Sequence, residues 1–311
     1  MFAWLLILYL SGGERPPFQV EPFVVKTIQG IDIPTDIHFA EGRYFLTAGV
    51  LDPKPGIYGL HPAEGDALRA GLLQILPRQD IQGISTGSED QFLLASMRHF
   101  TVNPEDWESE VVTVDSLQYR PLSFQQSNVP SRCGNGRFEC GLTEVLYLEP
   151  ERLIAVSLQR PARLFLLSLI DGKWTGGRGI PIMHQGRYTM VSAMERKGDK
   201  LVLLLKDRWS LVTLDLVQAL DPTVSTFDTA LFFDFSSIAK RFRAGPPRFV
   251  MEGLADGFAI GARGELAVIL NNQGYTFQKS PDGVLNERPK LLIFPPQTSP
   301  PEKVLPAQDK G

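Results

Sequence analysis

Charged and amide side chains sit just past the ends of several short apolar runs in this chain. Arg98 and His99 follow the run 92–96, Gln159 and Arg160 follow 153–157, Lys206, Asp207 and Arg208 follow 201–205, and Asn271, Asn272 and Gln273 follow 266–270. Guanidinium and ammonium groups brought together in this way would bind carboxylate or phosphate, arginine through a two-point fork. At the starts of the preceding apolar runs stand Asp36, Gln82, Glu139 and Glu252. Asp36, Glu139, Glu252 and the amide oxygen of Asn271 are hard donors of the type that calcium takes. They lie far apart and form no local loop motif, so a metal site would have to assemble across distant segments. Of the four histidines, His38, His61, His99 and His184, His99 alone falls at the end of an apolar run, where it could exchange protons with a nearby carboxylate. Gly83-Ile84-Ser85-Thr86-Gly87 satisfies the Gly-x-Ser-x-Gly string, but a nucleophile elbow needs a sharp strand-to-helix turn, and here the serine reads as lying inside a strand. No phosphate-cradling glycine loop is present.

The elements that must position these residues recur. A turn, a strand, a charged or glycine-containing corner and a second, apolar strand repeat about every fifty residues, a period that marks a propeller or solenoid. The first strands are anchored at Ile37, Ile84, Leu142, Ala193 and Leu254, and the corners fall at 41–43, 88–90, 149–151, 197–199 and 262–264. Third strands are expected at 57–60, 111–114, 164–169, 211–214 and 291–294, and outer strands at 72–76, 119–124, 173–180 and 231–235. The fifth repeat lacks an outer strand, and residues 23–28 can supply it, which closes the ring and removes exposed sheet edges. The expected fold is all-β, a five-bladed β-propeller whose terminal strands complete one blade. A six-bladed alternative requires an extra blade hidden between residues 218 and 248. In a blade the first strand begins and the second ends on one face, so the charged and amide residues above share a rim around the central channel. A solvated channel mouth is the plain explanation for such a rim.

At 311 residues and 43% hydrophobic content the chain can bury a large core, and its net charge of −4 argues against a nucleic-acid partner. The propeller is expected over residues 20–295, with a Pro-rich disordered tail at 296–311 and no transmembrane span. Residues 1–10 form an apolar block of signal-peptide size followed by Ser11-Gly12-Gly13, so residues 1–13 read as an export signal and the protein as periplasmic or extracellular. An uncleaved anchor or a buried strand is the alternative. Cys133 and Cys140 flank a Gly-Asn-Gly turn and read as one local disulfide, worth about 2.5 kcal/mol by loop entropy; free thiols are the alternative, and a zinc site lacks further local ligands.

Met251-Glu252-Gly253-Leu254-Ala255, followed by 264–274 with Asn271-Asn272-Gln273-Gly274 at its end, resembles the signature of the phytase-like esterase propellers, and Cys140-Gly141-Leu142 before 152–157 is an echo of it. The resemblance covers about twenty-five residues and implies an exported propeller acting on or binding a phosphorylated or ester-containing small molecule, with calcium as cofactor; the protein is expected to be a monomer. Glu252 and Asn272 carry over from the family pattern, Glu252 as a catalytic candidate beside His99. Asn271 stands where the family tends to have Asp, and Gln159 where an acid is expected; both departures remove negative charge from a metal site. Three functions follow in order: a propeller binding a small anionic ligand with metal-assisted hydrolysis, a non-catalytic protein- or envelope-interaction propeller, and a lactonase-like hydrolase.

Overall fold

The computed structural model of the protein describes residues 23–49, 52–77, 79–88, 90–98, 108–130, 141–157, 160–206, 208–221, 223–238, 255–270 and 288–296. Within them the chain folds almost entirely into strands. After β1 (Val24–Gln29), a first antiparallel meander runs through β2 (Pro34–Ala40), β3 (Arg43–Ala48), β4 (Gly56–Pro62) and β5 (Ala67–Ile75). A second comprises β6 (Gln79–Thr86), β7 (Gln91–Arg98), β8 (Glu108–Asp115) and β9 (Pro121–Gln126). The third consists of β10 (Leu142–Glu149), β11 (Arg152–Ser157), β12 (Arg163–Ile170), β13 (Lys173–Gly176) and β14 (Ile180–His184), with β15 (Arg187–Tyr188) hairpinned onto β14. Then come β16 (Val191–Lys197), β17 (Lys200–Leu205), β18 (Ser210–Asp215), the single-turn helix α1 (Leu216–Ala219) and β19 (Phe227–Asp234). The last meander is β20 (Ala255–Ile260), β21 (Leu266–Leu270) and β22 (Lys290–Phe294), and β1 completes it by pairing antiparallel with β22 from Val24↔Ile293 to Thr27↔Lys290.

The corners between first and second strands turn as their composition requires. Each holds a residue in the left-handed region: Glu41 and Gly42, Asp90, Glu151, Gly198 and Gly264. Two outer strands differ from expectation. The strand expected at 119–124 begins at Pro121, because Tyr119 has φ 56° and belongs to the turn. The strand expected at 173–180 is split into β13 and β14 around Gly177-Arg178-Gly179, where a Cβ on Gly179 would lie 2.4 Å from the Phe165 ring. Between residues 218 and 248 the described residues hold one long strand, β19, which pairs with β18 and, in parallel, with β14.

Every first strand carries a β-bulge near its start. The register shifts between Pro34 and Asp36, Ile81 and Gly83, Leu142 and Glu144, Val191 and Ala193, and Ala255 and Gly257. One residue is thereby left out of each ladder: Thr35, Gln82, Thr143, Ser192 or Asp256. A bulge bends its strand and re-aims the side chain it releases, which is why such irregularities gather next to functional sites. Aligned on the bulges, the equivalents of Ile37 are Ile84, Val145, Met194 and Phe258. The anchors Leu142, Ala193 and Leu254 read from apolar pattern therefore lie out of register with the first two.

Hydrophobic side chains fill the space between neighbouring meanders. One cluster joins the first and second through Phe45, Ile57, Phe92 and Val112, and another the second and third through Val111, Val145, Ala155 and Trp174. Val156, Leu164, Leu203 and Phe227 join the third and fourth; Leu204, Phe233, Phe258 and Phe294 join the fourth and last. Ile37, Leu46, Tyr58, Ala259 and Leu291 then join the last to the first, so the packing closes on itself. The strands are apolar on both faces for this reason, as β17, Lys200–Leu205, shows with every residue but its first buried. Among the described residues no helix is long and apolar enough to cross a membrane.

Candidate functional site at the axis of the ring

Contacts between first strands rise together in residue number. Asp36 meets Ile84 and His38 meets Thr86; Ser85 meets Val145; Ser192 meets Ala255 and Glu195 meets Ile260. The first strands therefore run parallel to one another, and the bulges lie at one end of the axis, the mouth. The second strands end there as well, since the antiparallel pairs Gln79↔Arg98, Leu142↔Ser157, Val191↔Leu205 and Ala255↔Leu270 all sit at this level.

Of the residues singled out in the sequence, Asp36, Gln82, Arg98 and Lys206 lie at this end. Lys206 Nζ lies 2.6 Å from Asp256 Oδ1, an ion pair whose side chains are 17% and 5% exposed. Arg98, which ends β7, places Nη1 3.5 Å from the buried Glu110 Oε1, and Glu110 also accepts from Gln79 Nε2 at 3.1 Å. Both cations thus meet carboxylates of their own rim. Arg160 is exposed, follows β11 and precedes Pro161 through a cis peptide bond; Arg208 lies in the turn after β17. His99, Glu139, Gln159, Glu252, Asn271, Asn272, Gln273, Cys133 and Cys140 lie outside the described residues.

Below the mouth, two carboxylates meet. Asp36 belongs to β2 and Glu144 to β10, with β6 between them in the ring, so their carboxyls reach each other across the axis. The approach depends on glycine. A Cβ on Gly83 of β6 would lie 2.3 Å from Thr143 O and 2.6 Å from Glu144 Oε2, and one on Gly257 of β20 would lie 2.2 Å from Asp36 Oδ1 and 2.7 Å from its Cα. Asp36 Oδ2 accepts the Ile84 amide at 3.0 Å and Glu144 Oε1 accepts the Val145 amide at 3.0 Å. The hydrogen bond between the Asp36 and Glu144 carboxyls requires one of them to carry a proton, and Asp36 Oδ1 has no other partner in the protein. Burial pushes the Asp36 carboxyl up to about 8, against the lowering effect of its hydrogen bonds to Glu144 and to backbone amides. Burial and the neighbouring Asp36 charge hold Glu144 well above the usual carboxylate range. Two carboxyls this close cannot both ionise, so the pair retains a proton at neutral pH. Asp256 is also raised by burial, with Lys206 pulling it back.

Farther from the mouth, two residues along the same strands, His38 reaches Glu195. Its Nδ1 is 3.6 Å from Glu195 Oε1 and its Nε2 is 2.8 Å from Thr86 Oγ1, while the Ile260 amide donates to Glu195 Oε2 at 3.1 Å. The axis is therefore polar at successive levels. Sequence reading missed Glu144, Glu195 and Asp256 because apolar anchoring put the third, fourth and fifth first strands out of step. Aligning on the polar residue ahead of each strand, Thr35, Gln82, Thr143, Ser192 and Asp256, would have found them.

Among the described residues no group of three or more His, Cys, Asp or Glu is arranged to hold a metal ion. Asp36 and Glu144 offer two carboxylates, short of the six to eight oxygens that calcium takes. A groove of about 770 Å³ opens away from the axis, on the outer rim beside β12, β14 and α1, lined by Phe165, Arg178, Tyr188 and Leu220; it contains none of the residues predicted from sequence.

No protein family matches the chain, and no curated protein matches it. Solved structures do. The glutaminyl cyclase of Myxococcus xanthus aligns with a TM-score of 0.51 at 11% identity, over 89% of this chain and 98% of that one. A mannose phosphorylase from Leishmania mexicana, solved with phosphate ion, aligns at 0.50 and 10% identity over 89% of each chain. A hypothetical protein from Leishmania major aligns at 0.51 and 10% identity over 89% of this chain and 90% of that one. The fold is a β-propeller. At these identities the likeness extends to the fold alone, and the resemblance to phytase-like esterases gains no family match.

Proposed function

We propose that this protein is a five-bladed propeller that binds a small phosphorylated or ester-containing molecule at the bulge-lined mouth, where the Asp36–Glu144 pair supplies a proton for hydrolysis. The observation that carries this reading is the distribution of buried polar atoms without a protein partner. Among the described residues they include Asp36 Oδ1, Thr143 Oγ1 and Ser109 Oγ, and these lie toward the mouth. Buried polar atoms are nearly always satisfied, so a cluster of exceptions points to a polar occupant. Lys206, Arg98, Arg160 and Arg208 provide positive charge around it. A proton-bearing carboxyl pair donates to an anionic ligand instead of repelling it, and can protonate a leaving oxygen while water attacks.

Five blades are supported by five recurring bulges and by packing that closes from the last meander onto the first. The apolar block at residues 1–10 supports export, and the spacing of Cys133 and Cys140 supports a disulfide there; unreduced peptides from exported protein should show the two joined. Glu139, Glu252 and Asn271, the other donors of the calcium proposal, are left to metal analysis, and no step is routed through a metal.

Calorimetry with inorganic phosphate and turnover of p-nitrophenyl phosphate test the proposal. Arg160→Ala and Lys206→Met should each weaken phosphate binding by about 1.5–3 kcal/mol, the scale of a charged hydrogen bond. Asp36→Asn should abolish turnover. Wild-type protein that neither binds phosphate nor turns over the ester overturns the reading. The pairing of Arg98 with Glu110 and of Lys206 with Asp256 favours a second reading, a non-catalytic interaction propeller, in which Asp36→Asn alters stability alone.

A further inference from the structure

We propose that Thr86, His38 and Glu195 form a nucleophile–base–acid relay at the level of the axis remote from the mouth, able to take an acyl group from a small ester onto Thr86 Oγ1. The three residues come from β6, β2 and β16, three different meanders, and no sequence motif links them. Their order in space is that of a hydrolytic triad: hydroxyl to Nε2 at 2.8 Å, Nδ1 to carboxylate at 3.6 Å.

The hydrogen-bond roles follow from chemistry. The Glu195 carboxyl, 3.6 Å from Nδ1, favours the His38 tautomer with hydrogen on that nitrogen. Nε2 then carries a lone pair, and the Thr86 hydroxyl donates to it. Glu195 is itself held by the Ile260 amide on Oε2, and the His38 ring stands edge-on to Phe92 with centroids 6.3 Å apart, so base and orienting acid are both fixed. Exposure is graded in the same direction. Thr86 is exposed at the end of β6, whereas the His38 and Glu195 side chains are only 12% and 15% exposed. This places the hydroxyl where a substrate can reach it and shields the groups that activate it.

The relay also accounts for the Gly83–Gly87 string. Its serine, Ser85, is 2% exposed and donates its hydroxyl to Val145 O, so it is structural. The neighbouring residue on the other face of the strand, Thr86, carries the hydroxyl that meets a base. In the reaction Thr86 Oγ1 attacks the ester carbonyl carbon as its proton passes to His38 Nε2. The bond to the alcohol oxygen breaks, and that oxygen takes the proton from His38, leaving an acyl-threonine. Water then gives a proton to His38 and attacks the acyl carbon; the carboxylic acid departs as the Thr86 oxygen recovers the proton.

The test uses the full chain and p-nitrophenyl acetate. A burst of p-nitrophenol is expected, with mass spectrometry of quenched protein locating the acetyl group on Thr86. Thr86→Val, which keeps the shape and loses the hydroxyl, should abolish burst and label, and Thr86→Ser should restore both. His38→Gln and Glu195→Gln should slow acylation, His38→Gln by roughly a hundredfold, the scale of general-base catalysis. Wild-type protein without acetyl on Thr86 overturns the proposal, as does a Thr86→Val burst equal to wild type. Labelling of folded His38→Gln at the wild-type rate overturns it too. If the His38 variant does not fold, the Val/Ser pair at position 86 decides alone. Absent phosphate binding at the mouth would count against the function proposed above and leaves acetyl-Thr86 as an independent readout.

Discussion

Asp36 and Glu144 are costly residues to bury, and their cost has a pH signature. Asp36 titrates near 8 in the folded protein against 3.8 for an ordinary aspartate, so between those values the folded state holds more protons than the unfolded. Stability then falls as pH rises through this window, by up to about 1.4 kcal/mol per pH unit for one retained proton. The contribution is fully present below pH 3.8 and is lost above about 8. Chemical denaturation between pH 5 and 9 should show this decline, and Asp36→Asn should flatten it; an unchanged slope in the variant would assign the decline to other groups. Lys206 and Asp256 differ in kind. With both side chains shielded, Lys206→Met leaves a buried carboxylate without its cation and should destabilise by about 3–5 kcal/mol, whereas Lys206→Met with Asp256→Leu should recover much of that loss. Urea melts of the single and double variants measure the difference.

At the level of the element, the bulge does what an unbroken strand could not. Side chains alternate along a strand with a period of two, so one unpaired residue shifts the following side chains relative to the partner strand. Thr143 is left out of the ladder and Glu144 is aimed across the axis. The neighbouring first strands must then come close, and glycine at 83 and 257 permits it. Gly257→Ala would put a methyl 2.7 Å from the Asp36 Cα and 2.8 Å from the Ile37 amide, backbone atoms that cannot swing aside. It should destabilise by about 1–3 kcal/mol. The comparison is Gly42→Ala, where nothing lies within 4 Å and only the left-handed backbone opposes a side chain. Equal losses of melting temperature in both would show that the close approach carries no cost.

For the whole molecule, β1 joins the last meander to the first. It pairs antiparallel with β22 on one edge and parallel with β5 on the other, over Thr27↔Ala67 to Gln29↔Arg69, so one short strand links the last meander to the first. Removing residues 23–30 would expose both edges, and open strand edges pair with other chains. The shortened protein should aggregate or elute as oligomers, as light scattering after size exclusion would show. A monomer with unchanged melting temperature would mean that the inter-meander clusters alone hold the ring.

By itself the amino-acid sequence determined the repeat, the strand-and-corner order and the use of residues 23–28 to complete the last meander. These follow from local chemistry: apolar runs long enough for buried strands, corners able to adopt left-handed backbone, and an outer strand missing from one repeat. Arg98 and Lys206, expected on one rim, stand at the ends of second strands, each beside a carboxylate. Tertiary structure decided which polar residues meet. Apolar patterning cannot reveal a bulge, because the inserted residue is one more polar or small residue at a strand start; the third, fourth and fifth first strands therefore slipped in register, and Glu144, Glu195 and Asp256 were passed over. His38, Thr86 and Glu195 are separated by 48 residues or more along the chain. Only closure of the ring brings them together, since proximity across an axis is a property of all the first strands at once and of none of them singly.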